Sequence, residues 1–146
     1  MAVLLVRHAK AGDRSKWEAP DDLRPLTGKG EAQAEGMVAA LAPFDVARVL
    51  SSPYLRCSQT VAPLAAARGL AVEPCDDLAE GHGGAGLALV RSLLGAPDHT
   101  VLCTHGDVVE EVLDGLGVGR DEYTRKGATW VLDPDGAVCL PPPGAP

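Results

Sequence analysis

"VLLVRHAK", residues 3–10, is an aliphatic run that ends on a cation and an imidazole where a turn residue would be usual. "TVLCTHGD", residues 100–107, repeats the design and ends its apolar run at His105. Both runs have the length and continuity of strands buried on two faces, as in a parallel sheet. The first strand reads as residues 2–7, and the polar stretch 9–26, with Gly12, Pro20 and Pro25, reads as a loop. Thr27 is placed to cap a helix over 28–41, despite Gly28, Gly30 and Gly36. A strand is expected at 48–52, then a helix at 54–68 with Pro53 suited to its first turn and Gly69 as its stop. A third strand at 70–74, an acidic glycine-rich loop at 75–85 and a helix at 85–95 lead to the strand at 99–104. A helix from Gly106 to Leu116 follows it.

The ending differs. "ATWVLDPDGAVCL", residues 128–140, is two short apolar runs around Asp133-Pro134-Asp135-Gly136, which is hairpin chemistry. The last two strands are therefore expected to be antiparallel to each other. The tail "PPPGAP", residues 141–146, is expected to be disordered. Alternating strands and helices argue for an α/β fold with a mostly parallel sheet covered on both faces. No internal repeat and no long linker divides the chain, so residues 1–140 are expected to form a single domain.

Composition narrows the function. No run approaches the ~18 apolar residues needed to cross a bilayer, and no basic region precedes the first apolar run as in a signal peptide. Cys57, Cys75, Cys103 and Cys139 form no CxxC pair, and read as reduced thiols of a cytoplasmic protein. The net charge of −7 argues against nucleic acid as a partner. Residues 1–30 nevertheless hold six basic side chains against four acidic ones, enough to guide an anion to one place.

In a parallel sheet, ligands bind at the carboxyl ends of the strands. Arg7-His8, Ser51-Ser52 with Arg56 just beyond, the Glu80 loop and His105 would all share that edge. Two histidines and two arginines suit phosphoryl transfer without a metal or cofactor. An imidazole nitrogen can attack phosphorus, and arginine forks match phosphate oxygens. A second imidazole and the helix N-terminus at Gly106 add donors where charge develops. A carboxylic acid is then needed for the leaving group, and Glu80 is the candidate by position. The rival chemistry is zinc held by His8, His105 and Glu80, which the neighbouring arginines would oppose.

"LLVRHAK", "SSPYLRCSQTV", "AEGH" and "VLCTHGD" together resemble the histidine phosphatase superfamily, in the branch with phosphoglycerate mutases. "RHAKA" followed by a long loop and "RPLTGKGEAQA" is similar to the small SixA-type phosphohistidine phosphatases. It is also similar to the phosphatase domain that follows a Nudix domain in some actinobacterial hydrolases. The resemblance implies a three-layer α/β/α sandwich around a six-stranded sheet of order 3-2-4-1-5-6, with strand five reversed. It implies that His8 is the nucleophile, that Arg7 and Arg56 bind the phosphoryl oxygens, and that His105 completes the phosphate pocket. Glu80 is similar in placement to the family's proton donor.

The implied substrate is a phosphorylated protein, above all phosphohistidine, with inorganic phosphate as product. A nucleotide or a small phosphate ester, or phosphate binding without turnover, are the alternatives. Three departures stand out. Ala9 replaces a glycine, and the Asn found further on in relatives is missing, so Arg14 or Ser15 is a candidate phosphate contact. The short segment between strands three and four implies an open site. Trp17 is expected to wall the pocket or anchor its loop, His82 to be an exposed loop residue rather than a ligand, His99 to be structural, and Asp107 to favour the first turn of its helix.

Overall fold

Strand β1, Val3–Arg7, runs parallel to β4, His99–Thr104, on one side and antiparallel to β5, Thr129–Asp133, on the other. Beyond β4 lie β2, Val46–Ser51, and then β3, Val72–Pro74, both parallel to it. Beyond β5 lies its hairpin partner β6, Gly136–Leu140. The sheet order is β3-β2-β4-β1-β5-β6, and β5 alone runs against the others. This computed structural model describes residues 2–119 and 123–145.

Residue alternation in β1 decides the layers. Leu4 and Val6 pack with α1, Gly28–Ala40, and α2, Leu55–Ala67, through Met37, Val61 and Leu64. Val3 and Leu5 point the other way, against Val90 of α3, Gly83–Leu93, and Val108 and Val112 of α4, Gly106–Gly115. Successive side chains of a strand face opposite sides, so a strand covered twice needs an unbroken apolar run. Leu4 is completely buried and Leu5 nearly so, contributing about 1.5–3 kcal/mol each. The result is a three-layer α/β/α sandwich.

Thr27 caps α1 as expected, its side chain accepting from the Gly30 N–H. Gly69, with φ +67°, closes α2. Pro53 does not lie in the first turn of α2: the helix begins at Leu55 with Tyr54 as its cap, one residue beyond the proline. Helix α3 starts at Gly83, two residues before the expected position. The loop 9–26 contains two 3-10 turns, Arg14–Lys16 and Asp21–Leu23, and an antiparallel bridge between Ala11 and Leu26. The proline tail, expected to be disordered, is seated on α1 as far as it is described. Pro142 is buried, and a Cβ on Gly36 would come within 2.7 Å of Pro143. Among the described residues, no helix is long and apolar enough to cross a membrane.

Candidate active site

Three parallel strands end side by side, and their hydrogen-bond ladder continues one step past each end. The His8 N–H donates to the Thr104 carbonyl at 3.0 Å, and the Ser52 N–H donates to the Cys103 carbonyl at 2.9 Å. His8, Ser52 and His105 are thereby fixed in one row by backbone alone. The two imidazoles meet edge to face, with ring centroids 5.6 Å apart.

His8 has a defined tautomer. Its Nδ1 lies 2.7 Å from the carbonyl oxygen of Ala9, which can only accept, so Nδ1 carries the proton. Nε2 then holds a lone pair. Burial is the main force lowering the His8 pKa to about 3, while its Ala9 hydrogen bond works the other way. His105, Arg56 and Arg7 lower it further. The ring is a neutral base at ordinary pH. Ala9 is itself held by Thr60, whose Oγ1 accepts from the Ala9 N–H at 2.9 Å and donates to the Arg56 carbonyl at 2.7 Å.

His105 caps α4 and is 1% exposed. Its Nε2 is 2.8 Å from Ser52 Oγ and 3.6 Å from Cys57 Sγ, and the Tyr54 ring packs edge-on against it at 4.6 Å. Its Nδ1 lies 3.5 Å from Nη2 of Arg56. Arg56 is fully buried and is not among the residues that line the cavity, with Nη1 on the Asp21 carbonyl and Nη2 on the Asp21 carboxylate at 3.1 Å. Arg7 reaches from the end of β1 to the Thr124 carbonyl through Nη1. A Cβ on Gly106 would lie 2.8–2.9 Å from its guanidinium, so the first residue of α4 must be glycine for Arg7 to lie there. The Nε–H groups of Arg7 and Arg56 are both buried without a hydrogen-bond partner among the described residues. Buried orphan donors cost roughly 1–3 kcal/mol each, which an anion's oxygens would recover.

Glu80 arrives on the loop between β3 and α3. Thr104 Oγ1 holds that loop by donating to the Leu78 carbonyl, and Asp107 accepts from the Gly81 N–H at 2.8 Å. The Glu80 carboxylate is 2.8 Å from Arg14 and 3.7 Å from Arg56. The sequence alone had no way to place Asp21. Its carboxylate pairs with Arg14, Arg24 and Arg56 together, and these contacts outweigh desolvation to hold its pKa below the usual range.

These groups surround a cavity of about 890 Å³. Arg7, Lys10, Arg14, Arg24 and Lys126 line it together with His8, His105 and Glu80. Of the two candidates for the missing Asn, Arg14 lines the cavity, while Ser15 is turned onto Asp13, to which its N–H and hydroxyl both donate. Trp17 anchors its loop by donating to the Pro20 carbonyl and does not line the cavity. His82 is bonded to the Asp76 carbonyl, and His99 accepts the Ala2 N–H. Among the described residues no group of three His, Cys, Asp or Glu side chains is arranged to hold a metal ion.

Residues 3–88 match the description of the histidine phosphatase superfamily, branch 1. The chain belongs to this family. An 8-oxo-(d)GTP phosphatase of Mycolicibacterium smegmatis is 37% identical over 140 residues, 89% of this chain and 43% of that protein. The chain thus spans less than half the length of this curated relative. The structure of a protein histidine phosphatase SixA complexed with tungstate matches with a TM-score of 0.77 and 25% identity, over 96% of this chain and 94% of that one. A candidate phosphohistidine phosphatase SixA from Agrobacterium tumefaciens matches with a TM-score of 0.76 and 25% identity, over 97% and 98%. A histidine phosphatase fold thus brings His8, His105, Arg7, Arg56 and Glu80 to one edge of the sheet here.

Proposed function

We propose that the chain is a metal-independent phosphatase that carries the phosphoryl group on Nε2 of His8. The observation that carries this reading is the hydrogen bond from His8 Nδ1 to Ala9, which leaves a lone pair on Nε2 inside a cationic cavity. In the first step Nε2 attacks phosphorus and the bond from phosphorus to the leaving atom breaks, an imidazole nitrogen in a phosphohistidine and an oxygen in an ester. The Nε–H groups of Arg7 and Arg56, without a partner among the described residues, take phosphoryl oxygens. His105 supports the same oxygens from the N-terminus of α4. Glu80 protonates the leaving atom, nitrogen or oxygen. In the second step Glu80 takes a proton from water, the water oxygen bonds to phosphorus, and inorganic phosphate leaves His8 free.

Glu80 must acquire a proton to act as an acid, yet it is paired with Arg14. We assign Arg14 the place of the missing Asn. An entering phosphate dianion competes for its guanidinium and frees the Glu80 carboxylate to turn towards the leaving group.

The first substrate in this reading is a protein phosphohistidine. The connection from β3 to β4 is short and leaves the cavity open, and the SixA structures cover nearly the whole chain. The second reading is a nucleotide or a small phosphomonoester, supported by the likeness to the 8-oxo-(d)GTP phosphatase. Rapid quench with radiolabelled p-nitrophenyl phosphate in excess chelator tests the mechanism. Acid-labile, base-stable label on His8, absent from folded His8→Ala, is the expected result. Label on a serine, or turnover that vanishes with chelator and returns with zinc, would overturn it.

A further inference from the structure

The charges in the cavity exceed what one phosphoryl group needs. Its carboxylates are already engaged. Asp13 caps Ser15, Glu80 pairs with Arg14, Asp107 accepts from Gly81, and Glu110 accepts from the Thr124 N–H. Lys10 and Lys126 also line the cavity, and neither has a carboxylate within ion-pair distance among the described residues.

Their proximity is built in. The Gln33 side chain of α1 accepts the Lys10 N–H at 2.9 Å through Oε1 and donates to the Lys126 carbonyl at 3.5 Å through Nε2. Gly127, next in sequence, donates to the carbonyls of Arg7 and His8. Thr124 is clamped three ways, by Arg7 on its carbonyl, Trp130 on its hydroxyl and Glu110 on its N–H. The segment bearing Lys126 is thus tied to the reactive pair Arg7-His8 itself. The Lys126 ammonium is held below its usual pKa by burial first, then by Arg7, Arg24, Lys10 and Arg14. Cations crowded together draw in an anion, even with four carboxylates in the same wall. Tyr123, on the same segment, lines the cavity with 77% of its surface exposed.

We infer that Lys10 and Lys126 form a second anion subsite beside His8, which favours the second substrate reading above over the first: the substrate is a nucleoside di- or triphosphate cleaved at its terminal phosphoryl group. The inference rests on the phosphohistidine mechanism proposed above and adds the leaving group to it. The terminal phosphoryl meets Arg7, Arg56 and His8. The adjoining phosphate, which becomes the leaving group, sits between the two ammonium groups, and Tyr123 offers a ring face to the base. The negative charge that develops on the bridging oxygen as the phosphate leaves is stabilised by two cations facing it.

The test uses methylenediphosphonate, which has two phosphoryl groups and no cleavable bridge, as an inhibitor of p-nitrophenyl phosphate hydrolysis at fixed ionic strength. It should bind roughly tenfold more tightly than inorganic phosphate, as one additional charge-assisted contact gives, and the advantage should vanish in Lys10→Ala/Lys126→Ala. The double variant should also lose roughly tenfold more kcat/KM on guanosine diphosphate than on p-nitrophenyl phosphate. Both lysines are exposed, and a melting curve verifies the fold. Equal affinities of the two inhibitors for the native chain would overturn the subsite. So would equal losses on both substrates, or a phosphohistidine peptide turned over faster than the diphosphate. Labelling of His8 by p-nitrophenyl phosphate is independent of these outcomes, so the subsite and the mechanism fail separately.

Discussion

Replacing His8 with asparagine should make the protein's stability less sensitive to acid. In the folded protein His8 ionises near pH 3, with burial the main cause, against 6.5 for an unperturbed imidazole. Above pH 6.5 both the folded and unfolded states hold a neutral ring, and His8 adds no pH dependence. Below it the unfolded chain takes up a proton that the folded chain refuses, so stability is lost as pH falls from 6.5 towards 3. The loss approaches ~1.4 kcal/mol per pH unit, about 2 kcal/mol at pH 5 and roughly 5 kcal/mol in all. Asparagine has no proton to gain, and its amide can still donate to the Ala9 carbonyl. Between pH 8 and pH 5 the native chain should therefore lose about 2 kcal/mol more than His8→Asn, a difference of roughly 4–8 °C in melting temperature. Other titrating groups are common to both chains and cancel. Urea melts at the two pH values measure the difference. Nitrogen NMR of the ring should report a protonated Nδ1 and a bare Nε2 throughout this range. Parallel stability curves, together with a ring that titrates near 6.5, would refute a neutral buried nucleophile.

Three further outcomes follow from the site. Gly106→Ala places a Cβ 2.8–2.9 Å from the Arg7 guanidinium, so it should lower kcat/KM on every substrate by about 10–100-fold while leaving the melting temperature near native. An unchanged rate would mean Arg7 can reorient freely. Thr60→Val strips the acceptor from the buried Ala9 N–H and should destabilise by about 1–3 kcal/mol in urea melts, with a change below the measurement error arguing that water replaces it. Glu80→Gln should slow the phosphorylation step strongly for alkyl phosphates and mildly for p-nitrophenyl phosphate, whose leaving group needs less help. Equal losses in pre-steady-state measurements would remove Glu80 from the acid's role.

The strands were legible because each carries its evidence locally. Val3 to Val6 must be apolar at every position to be covered from both sides, and Thr27 and Gly69 punctuate helices by chemistry that does not depend on the fold. Helix propensity alone would have misjudged α2, which holds Pro63 in its interior at a cost of about 3 kcal/mol. It persists because Cys57, Val61, Leu64 and Ala65 are all buried along one side of it. Gly30, unfavourable within a helix, is explained by the Lys10 carbonyl, which a Cβ there would meet at 2.0 Å. That contact joins residues twenty apart in sequence, and no local pattern announces it.

The same distinction separates the two halves of the site. His8, Arg56 and His105 follow strands or open helices, so the topology alone delivers them to one edge. Asp21, Arg24, Thr124 and Lys126 come from irregular segments, where no periodicity says which way a side chain turns. Their placement depends on pairs that form only once the sheet exists: Arg56 with Asp21, Arg7 with Thr124, Gln33 with both Lys10 and Lys126. The 9–26 loop shows the consequence. With Arg14 rather than Asn near its start, the loop brings an extra cation to the cavity, and Glu80 and Asp21 both hold it. A neutral asparagine would leave Glu80 with Arg56 as its remaining cation, at 3.7 Å. Arg14 thus stands between the cavity and the group proposed as the acid. That placement belongs to contacts between loops, and the strand pattern that fixes the fold is silent about it.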